Sequence, residues 1–337
     1  MSAHADAQGL FYTDTQASKP IRGTPIFSFS TNEDFLQGRK TCKSEIKKEM
    51  EKVLSSSEWK QKATESSTLL ADLTKAGGFD YPLTLENISS IGDPIFCANH
   101  AKRTECLLNT DLDAKAIELH KWTNQQEYKP GLDRVAKLRI SSFMNEILNV
   151  TANTLKKKKT FYRFYSAHDG NLLSLLQLFR LESPGLVPFA SAFVFELHKT
   201  NAAATRPFAE ADVGFKLKYF PYDQLNFDDE LARGSFYDRS DEVSMAWNTE
   251  NGDITKSVCK TDYCTMAQLR AMVYTNDEWK KECGLIKPPK SLIPVWLVIL
   301  TIVLSVLLIA VTALLVIALI KIARRPKSSQ YDSLINS

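Results

Sequence analysis

The chain has 337 residues, 42 Lys and Arg against 39 Asp and Glu, and a formal net charge of +3. With 44% hydrophobic and 10% aromatic residues, and no repeat or low-complexity tract, it is neither a disordered tail nor a fibrous array. The near-balanced charge leaves no nucleic-acid footprint: the densest basic run, Lys156, Lys157, Lys158 and Lys159, precedes an expected strand and reads as a solvated turn.

In chain order, the opening MSAHADAQGLFYTD has no basic stretch and no apolar segment long enough for a signal peptide. Residues 24–30 alternate apolar and polar, as a short strand does. From residue 40 to about 76, Lys, Glu, Leu and Ser dominate and predict helices; residues 78–110 read as loop with short helical pieces. A helix is expected over 111–122. A stronger one over 132–155 puts Val135, Leu138, Phe143, Ile147 and Leu148 on a broad apolar face. A strand at 160–166, a helix from about 171 to 181, and paired strands at 189–199 and 213–220 follow. This order predicts an α/β domain, a sheet covered by helices, over residues 1–287 with a helical portion at roughly 40–130. Residues 288–294, which open with Pro288 and Pro289, form a short stalk.

Residues 295–320 carry no charge and only Thr301, Ser305 and Thr312 as polar interruptions. Roughly 20 apolar residues cross a bilayer core, so this run predicts a transmembrane helix, with residues 321–337 as a tail. Trp296 marks one edge, and Lys290 and Lys321 fence the run. Lysines flank both ends, so charge does not orient it. All six cysteines, Cys42, Cys97, Cys106, Cys259, Cys264 and Cys283, precede it, as do two glycosylation sequons at Asn87 and Asn149. Together they put residues 1–290 outside the cytosol, in a lysosome or endosome or at the cell surface, and the tail inside. A domain exported this way normally starts with a signal peptide, so the expectation is that the chain lacks its beginning. In the tail, Tyr331-Asp332-Ser333-Leu334 resembles Tyr-x-x-apolar motifs read by endocytic adaptors, with Tyr331 and Leu334 as the anchors. Six cysteines allow fifteen pairings. The Cys-x4-Cys spacing of Cys259 and Cys264 has no second ligand pair beside it, which disfavours zinc. No metal and no cofactor is expected.

The most informative stretch is Phe164-Tyr165-Ser166-Ala167-His168-Asp169-Gly170-Asn171-Leu172, a His-Asp pair between an expected strand and an expected helix. A helix N-terminus offers unpaired N–H groups and partial positive charge to an anion. There His168 can donate to a phosphate oxygen, and Asp169 can hold a proton for a leaving group. The plainer alternative makes Asp169 part of a helix cap and His168 a satisfied strand end.

The pattern around this pair resembles the C-terminal half of the histidine acid phosphatases. There, a Tyr-Ser-Ala-His-Asp strand end precedes a helix and a strand of the form Pro-(aromatic)-Ala-Ser-x-x-x-x-Glu-Leu, here Pro188-Phe189-Ala190-Ser191-Ala192-Phe193-Val194-Phe195-Glu196-Leu197. Residues 214–220 fit the partner strand. Cys264-Thr265-Met266-Ala267-Gln268-Leu269, with Trp279 and Cys283, resembles the closing helix and last cysteine; Asn145-Glu146-Ile147-Leu148 and Asp93-Pro94-Ile95-Phe96-Cys97 fit upstream segments. The likeness covers nearly all of residues 1–284, and the anchor resembles that of lysosomal and other membrane-bound members. It implies a phosphoglycerate-mutase-like sheet with an α-helical cap, and hydrolysis of phosphate monoesters through a phosphohistidine. By motif position His168 would bind phosphate and Asp169 would be the proton donor. It also implies disulfides Cys42–Cys283 and Cys259–Cys264. The family partner of Cys97 would sit near Ala192, where no cysteine stands, which leaves Cys97 with Cys106. Members often form homodimers.

One departure is large. The family's nucleophile lies in Arg-His-Gly-x-Arg-x-Pro, and none of His4, His100, His120, His168 or His198 has that context. The first strand, the nucleophile and the phosphate-clamping arginines would precede Met1, which leaves unpaired sheet edges. Two readings compete: a phosphatase whose recorded chain is incomplete and inactive as given, and a truncated membrane glycoprotein that serves as a binding or scaffold protein.

Overall fold

The computed structural model describes residue 28 and residues 34–156, 162–221, 253–286 and 295–324. The chain divides into two compact units, Met1–Ile286 and Lys287–Ser337. The expected strand at 24–30, Lys157 to Lys159, the stalk, and Tyr331 and Leu334 lie outside the described residues, apart from Ser28.

The described part of the first unit opens with helices: α1 (Gly38–Thr41), α2 (Lys43–Leu54), α3 (Ser57–Glu65), α4 (Ser67–Ala76), α5 (Ser89–His100) and α6 (Thr110–Glu127). In α2 the buried Ile46, Met50 and Val53 repeat at helical spacing. Its outer face carries the ion pairs Lys48–Glu45 and Lys52–Glu49, each 2.6 Å. Side-chain oxygens of Ser56 and Asn109 accept from Trp59 and Leu112 N–H groups and so start α3 and α6. The stretch read as loop with short pieces holds a full helix, α5, despite Pro94. Its burial of Ile91, Gly92, Ile95 and Ala98 against α6 outweighs the missing proline donor.

Helix α7 (Asp133–Leu155) is the spine. Val135 and Leu138 join a core with Ile46, Leu73, Ile88, Ile95, Leu119 and Trp279 from the helical portion and its back. Ala136, Ile140, Met144 and Leu148 join a second core with Leu175, Phe215, Leu217 and Leu269. Helix α8 (Asp169–Leu178) packs along α7. Strands β1 (Ala192–Lys199) and β2 (Val213–Phe220) pair antiparallel, from Ala192 opposite Phe220 to Lys199 opposite Val213. Val213, Phe215, Leu217 and Tyr219 alternate into the core. The far edge of β2 is closed by Leu217 N–H donating to Thr255 Oγ1 at 2.8 Å and by a bridge between Phe215 and Cys264. Helices α9 (Thr255–Cys259), α10 (Met266–Ala271) and α11 (Asn276–Glu282) complete the unit.

Among the described residues the fold is mixed, 62% helical, with a two-stranded antiparallel sheet. Of the strand expected at 160–166, residues 160 and 161 lie outside the described residues; residues 162–166 join no ladder with another described residue, and a strand is defined by such a partner. Two disulfides, Cys42–Cys283 and Cys259–Cys264, are those the resemblance implies. The expected Cys97–Cys106 pair is not: Cys97 is a free, exposed thiol. It lies with Asp93 and Phe96 on the cleft side of α5, while Ile91, Ile95 and Ala98 turn into the core.

In the second unit, α12 (Val295–Ala323) continues three residues past the expected end, and an 18-residue window within residues 299–322 has a mean hydropathy of 3.2. It is long and apolar enough to cross a membrane. Ser305 Oγ donates to the Thr301 carbonyl and Thr312 Oγ1 to that of Leu308, at 2.8 and 2.9 Å, so these hydroxyls need no partner outside the helix.

Candidate functional site

A cleft of about 1750 Å³ opens along the unit, lined by the helical portion on one side and by residues 162–168 and β1 on the other. It exceeds the roughly 300–1,000 Å³ of ordinary small-molecule pockets. Its walls carry the exposed aromatics Tyr162, Phe164 and Phe189.

His168 and Asp169 lie together, exposed, in this cleft. His168 is the N-cap of α8 in extended backbone, and its N–H donates to Asn171 Oδ1 at 3.2 Å. Asn171 Nδ2 donates in turn to the Leu36 carbonyl at 2.9 Å, which ties the helix start to the segment before α1. Asp169 Oδ1 accepts from Gly170 N–H at 2.7 Å. The capping alternative therefore holds in part: Asp169 takes up one orphan donor of the helix. Its exposure leaves the rest of the carboxylate to the cleft.

Arg39 lines the same cleft and is acted on by the Asp169 carboxylate, and its sequence context gives no sign of this. Helix α1 is too short to show a period. Gly38 does the positioning: a side chain there would run into the Arg139 carbonyl, so only glycine lets α1 seat on α7. Arg39 then donates from Nη1 to Tyr128 Oη at 3.2 Å and lies 3.5 Å from the Glu127 carboxylate. Tyr128 is buried, with its hydroxyl 3.3 Å from where a Cβ on Gly170 would stand, at the start of α8. Beneath it the Arg139 guanidinium stacks 4.1 Å from the ring and pairs with Glu127 at 3.4 Å. The Tyr128 oxygen is the largest influence raising the Arg39 pKa above its ordinary value; burial opposes it, and Glu127 and Asp169 add to the rise.

On the opposite wall, α5 presents Asp93, Phe96 and Cys97, and α6 presents His120. Burial, with Asp93 and Asp169 adding, pushes the Cys97 thiol up, so the thiolate is disfavoured. Burial pulls His120 down against the carboxylates of Asp93, Asp169 and Glu127. Phe189 stacks on Phe96 at 5.3 Å and meets His100 at 4.3 Å; it leads into Ala190, whose φ is +62°.

The sequons fall on different ground. Asn149 is exposed on α7. Asn87 is half-buried, accepting from Thr84 N–H at 2.6 Å and donating to the Pro82 carbonyl at 3.3 Å. Among the described residues no group of three or more His, Cys, Asp or Glu could hold a metal ion. No family model matches the chain, and no curated protein does.

Proposed function

We propose that this chain is part of a membrane-anchored acid phosphatase of the histidine class. One observation carries the reading: His168 and Asp169 stand side by side, exposed in a cleft, at the N-terminus of a helix packed on the core. The positive end of the helix dipole favours a phosphate there. His168 donates to a phosphoryl oxygen; Asp169 gives its proton to the ester oxygen as the P–O bond breaks, so the alcohol leaves neutral. The nucleophilic imidazole that takes the phosphoryl group, and from which water later removes it, is not among this chain's residues. The proposal assigns turnover to a form that carries it. In the phosphoglycerate-mutase-like arrangement, the strand bearing that imidazole is central.

The same reading takes the first unit as extracytosolic. It is supported by two disulfides, which persist in oxidising compartments, and by the apolar length of α12. Asn149 suits a glycan better than Asn87, whose amide is engaged. Endocytic adaptors at Tyr331 and Leu334, and a homodimer, belong to the proposal as partners.

The test is phosphomonoester hydrolysis at acidic pH. The chain as given is expected to show none; a form extended to include Arg-His-Gly-x-Arg-x-Pro is expected to be active. In that form Asp169→Ala should lower kcat on alkyl phosphates by about 10²–10⁴, the usual share of a general acid. Aryl phosphates, whose leaving groups depart more readily as anions, should lose less. Equal activity with and without Asp169 on both substrates would sink the assignment.

A further inference from the structure

We propose that Arg39 is a substrate-contacting residue of this cleft, its guanidinium binding an anionic oxygen of the phosphate ester beside Asp169. The inference rests on the phosphatase reading and adds a residue to it.

The guanidinium is held from one edge and open at the other. Tyr128 Oη and the Glu127 carboxylate take part of its five N–H donors, at 3.2 and 3.5 Å, yet 63% of the side chain is exposed in the cleft. Its tethers are themselves fixed. The Arg139 side chain, 1% exposed, stacks under the Tyr128 ring and pairs with Glu127. Gly170, at the start of α8, leaves room for the Tyr128 hydroxyl. Such a donor is preorganised, so little ordering is needed when an anion arrives.

Charge points the same way. Arg39 and Arg139 face Glu127 and Asp169, and the four cancel when Asp169 is ionised. When Asp169 carries the proton that a leaving alcohol needs, the group holds one net positive charge. Asp93, on α5, acts on Cys97 and His120 as Asp169 does, so a further carboxylate faces the cleft and Arg39 is the cation that an incoming anion meets there. A planar fork also suits a phosphoryl or carboxylate group better than an ammonium does.

The anionic oxygen has two sources, the phosphoryl group or an acidic group on the alcohol, and two probes separate them. The full chain in detergent is unfolded thermally with increasing inorganic phosphate or O-phosphoserine, and the rise in midpoint gives an apparent Kd. Arg39→Ala should weaken binding about tenfold or more, and Arg39→Lys by less, with unliganded midpoints near the parent's. A loss for both probes assigns the contact to the phosphoryl group; a loss for phosphoserine alone assigns it to the acid on the alcohol. Parent affinity for both probes in Arg39→Ala, while His168→Ala loses binding, overturns the Arg39 assignment and leaves the phosphatase reading standing. No response of the parent chain to either probe at tens of millimolar also overturns it; the phosphatase reading is then decided by turnover in the extended form.

Discussion

The seam around Cys42 and Trp279 and the one around Phe96 and Phe189 both join the helices of residues 38–127 to the rest of the first unit, by different chemistry. At the first, Cys42 is bonded to Cys283, and Trp279 Nε1 donates to the Leu138 carbonyl at 2.8 Å. Arg134 there bridges Glu49 at 2.8 Å and Glu282 at 3.0 Å. At the second, an aromatic stack makes the contact, Phe189 is 40% exposed, and the nearby Cys97 is a free thiol. The first seam is covalent, buried and charged; the second is soft and faces the cleft. Sites that admit a ligand are drawn from the less stable parts of a fold, and the contrast fits that rule.

The strongest way to break the contrast is Trp279→Ala. The indole is 8% exposed and packs in the helical core. Truncation removes that packing and leaves the Leu138 carbonyl short of a donor, at a cost of about 3–5 kcal/mol. Denaturant unfolding of the full chain in detergent measures it, and a loss under about 1 kcal/mol would show that the seam is not where stability resides.

Next in size is Cys42→Ser with Cys283→Ser. The bond closes a loop with a sequence separation of 241, and removing it should cost about 2–4 kcal/mol. Cys97→Ser is the comparator: an exposed thiol outside any disulfide should change stability by no more than about 0.5 kcal/mol. Equal effects at the two sites would erase the distinction between the seams.

Much of this was legible in the sequence where a single period decides the structure. The apolar face of α7, the β1–β2 pair and α12 each announce themselves by spacing or length. The His-Asp pair was legible because a strand-like run meets a helical one at His168. Arg39, Tyr128 and Arg139 were not, since what unites them is tertiary: α1 seats on the Arg139 carbonyl through Gly38, and a buried arginine stacks under a tyrosine eleven positions before it in the chain. Local pattern says nothing of such contacts. The strand expected at 160–166 goes the other way: a run rich in aromatic residues suits a strand's side chains, whereas a strand exists only with a neighbour to bond, and residues 162–166 have none among the described residues.

The smallest effect probes the soft seam through pH. His120 is 5% exposed on α6, directly under α5; a Cβ on Gly92 would stand 2.5 Å from the His120 Cβ. Its Nε2 lies 3.2 Å from the Asn124 amide nitrogen, and Nδ1 has no partner among the described residues. Burial lowers its pKa below the ordinary 6.5, although Asp93, Asp169 and Glu127 favour the proton. The unfolded chain then binds the proton more readily than the folded one, so stability is highest above pH 6.5 and falls as pH drops from there toward the folded value. Glu45, Glu49 and Glu278 are held below the usual carboxylate range of about 4.5, by hydrogen bonds to Lys48, to Lys52 and to the Thr275 backbone respectively. Their loss therefore begins lower, which leaves pH 6.5 to 5 as the histidine's window. Unfolding midpoints across that window should decline for the parent and flatten for His120→Gln. The decline should be accompanied by faster amide exchange in α5, the helix that bears Phe96. Exchange that quickens instead around Trp279 would place the acid-sensitive seam at the back.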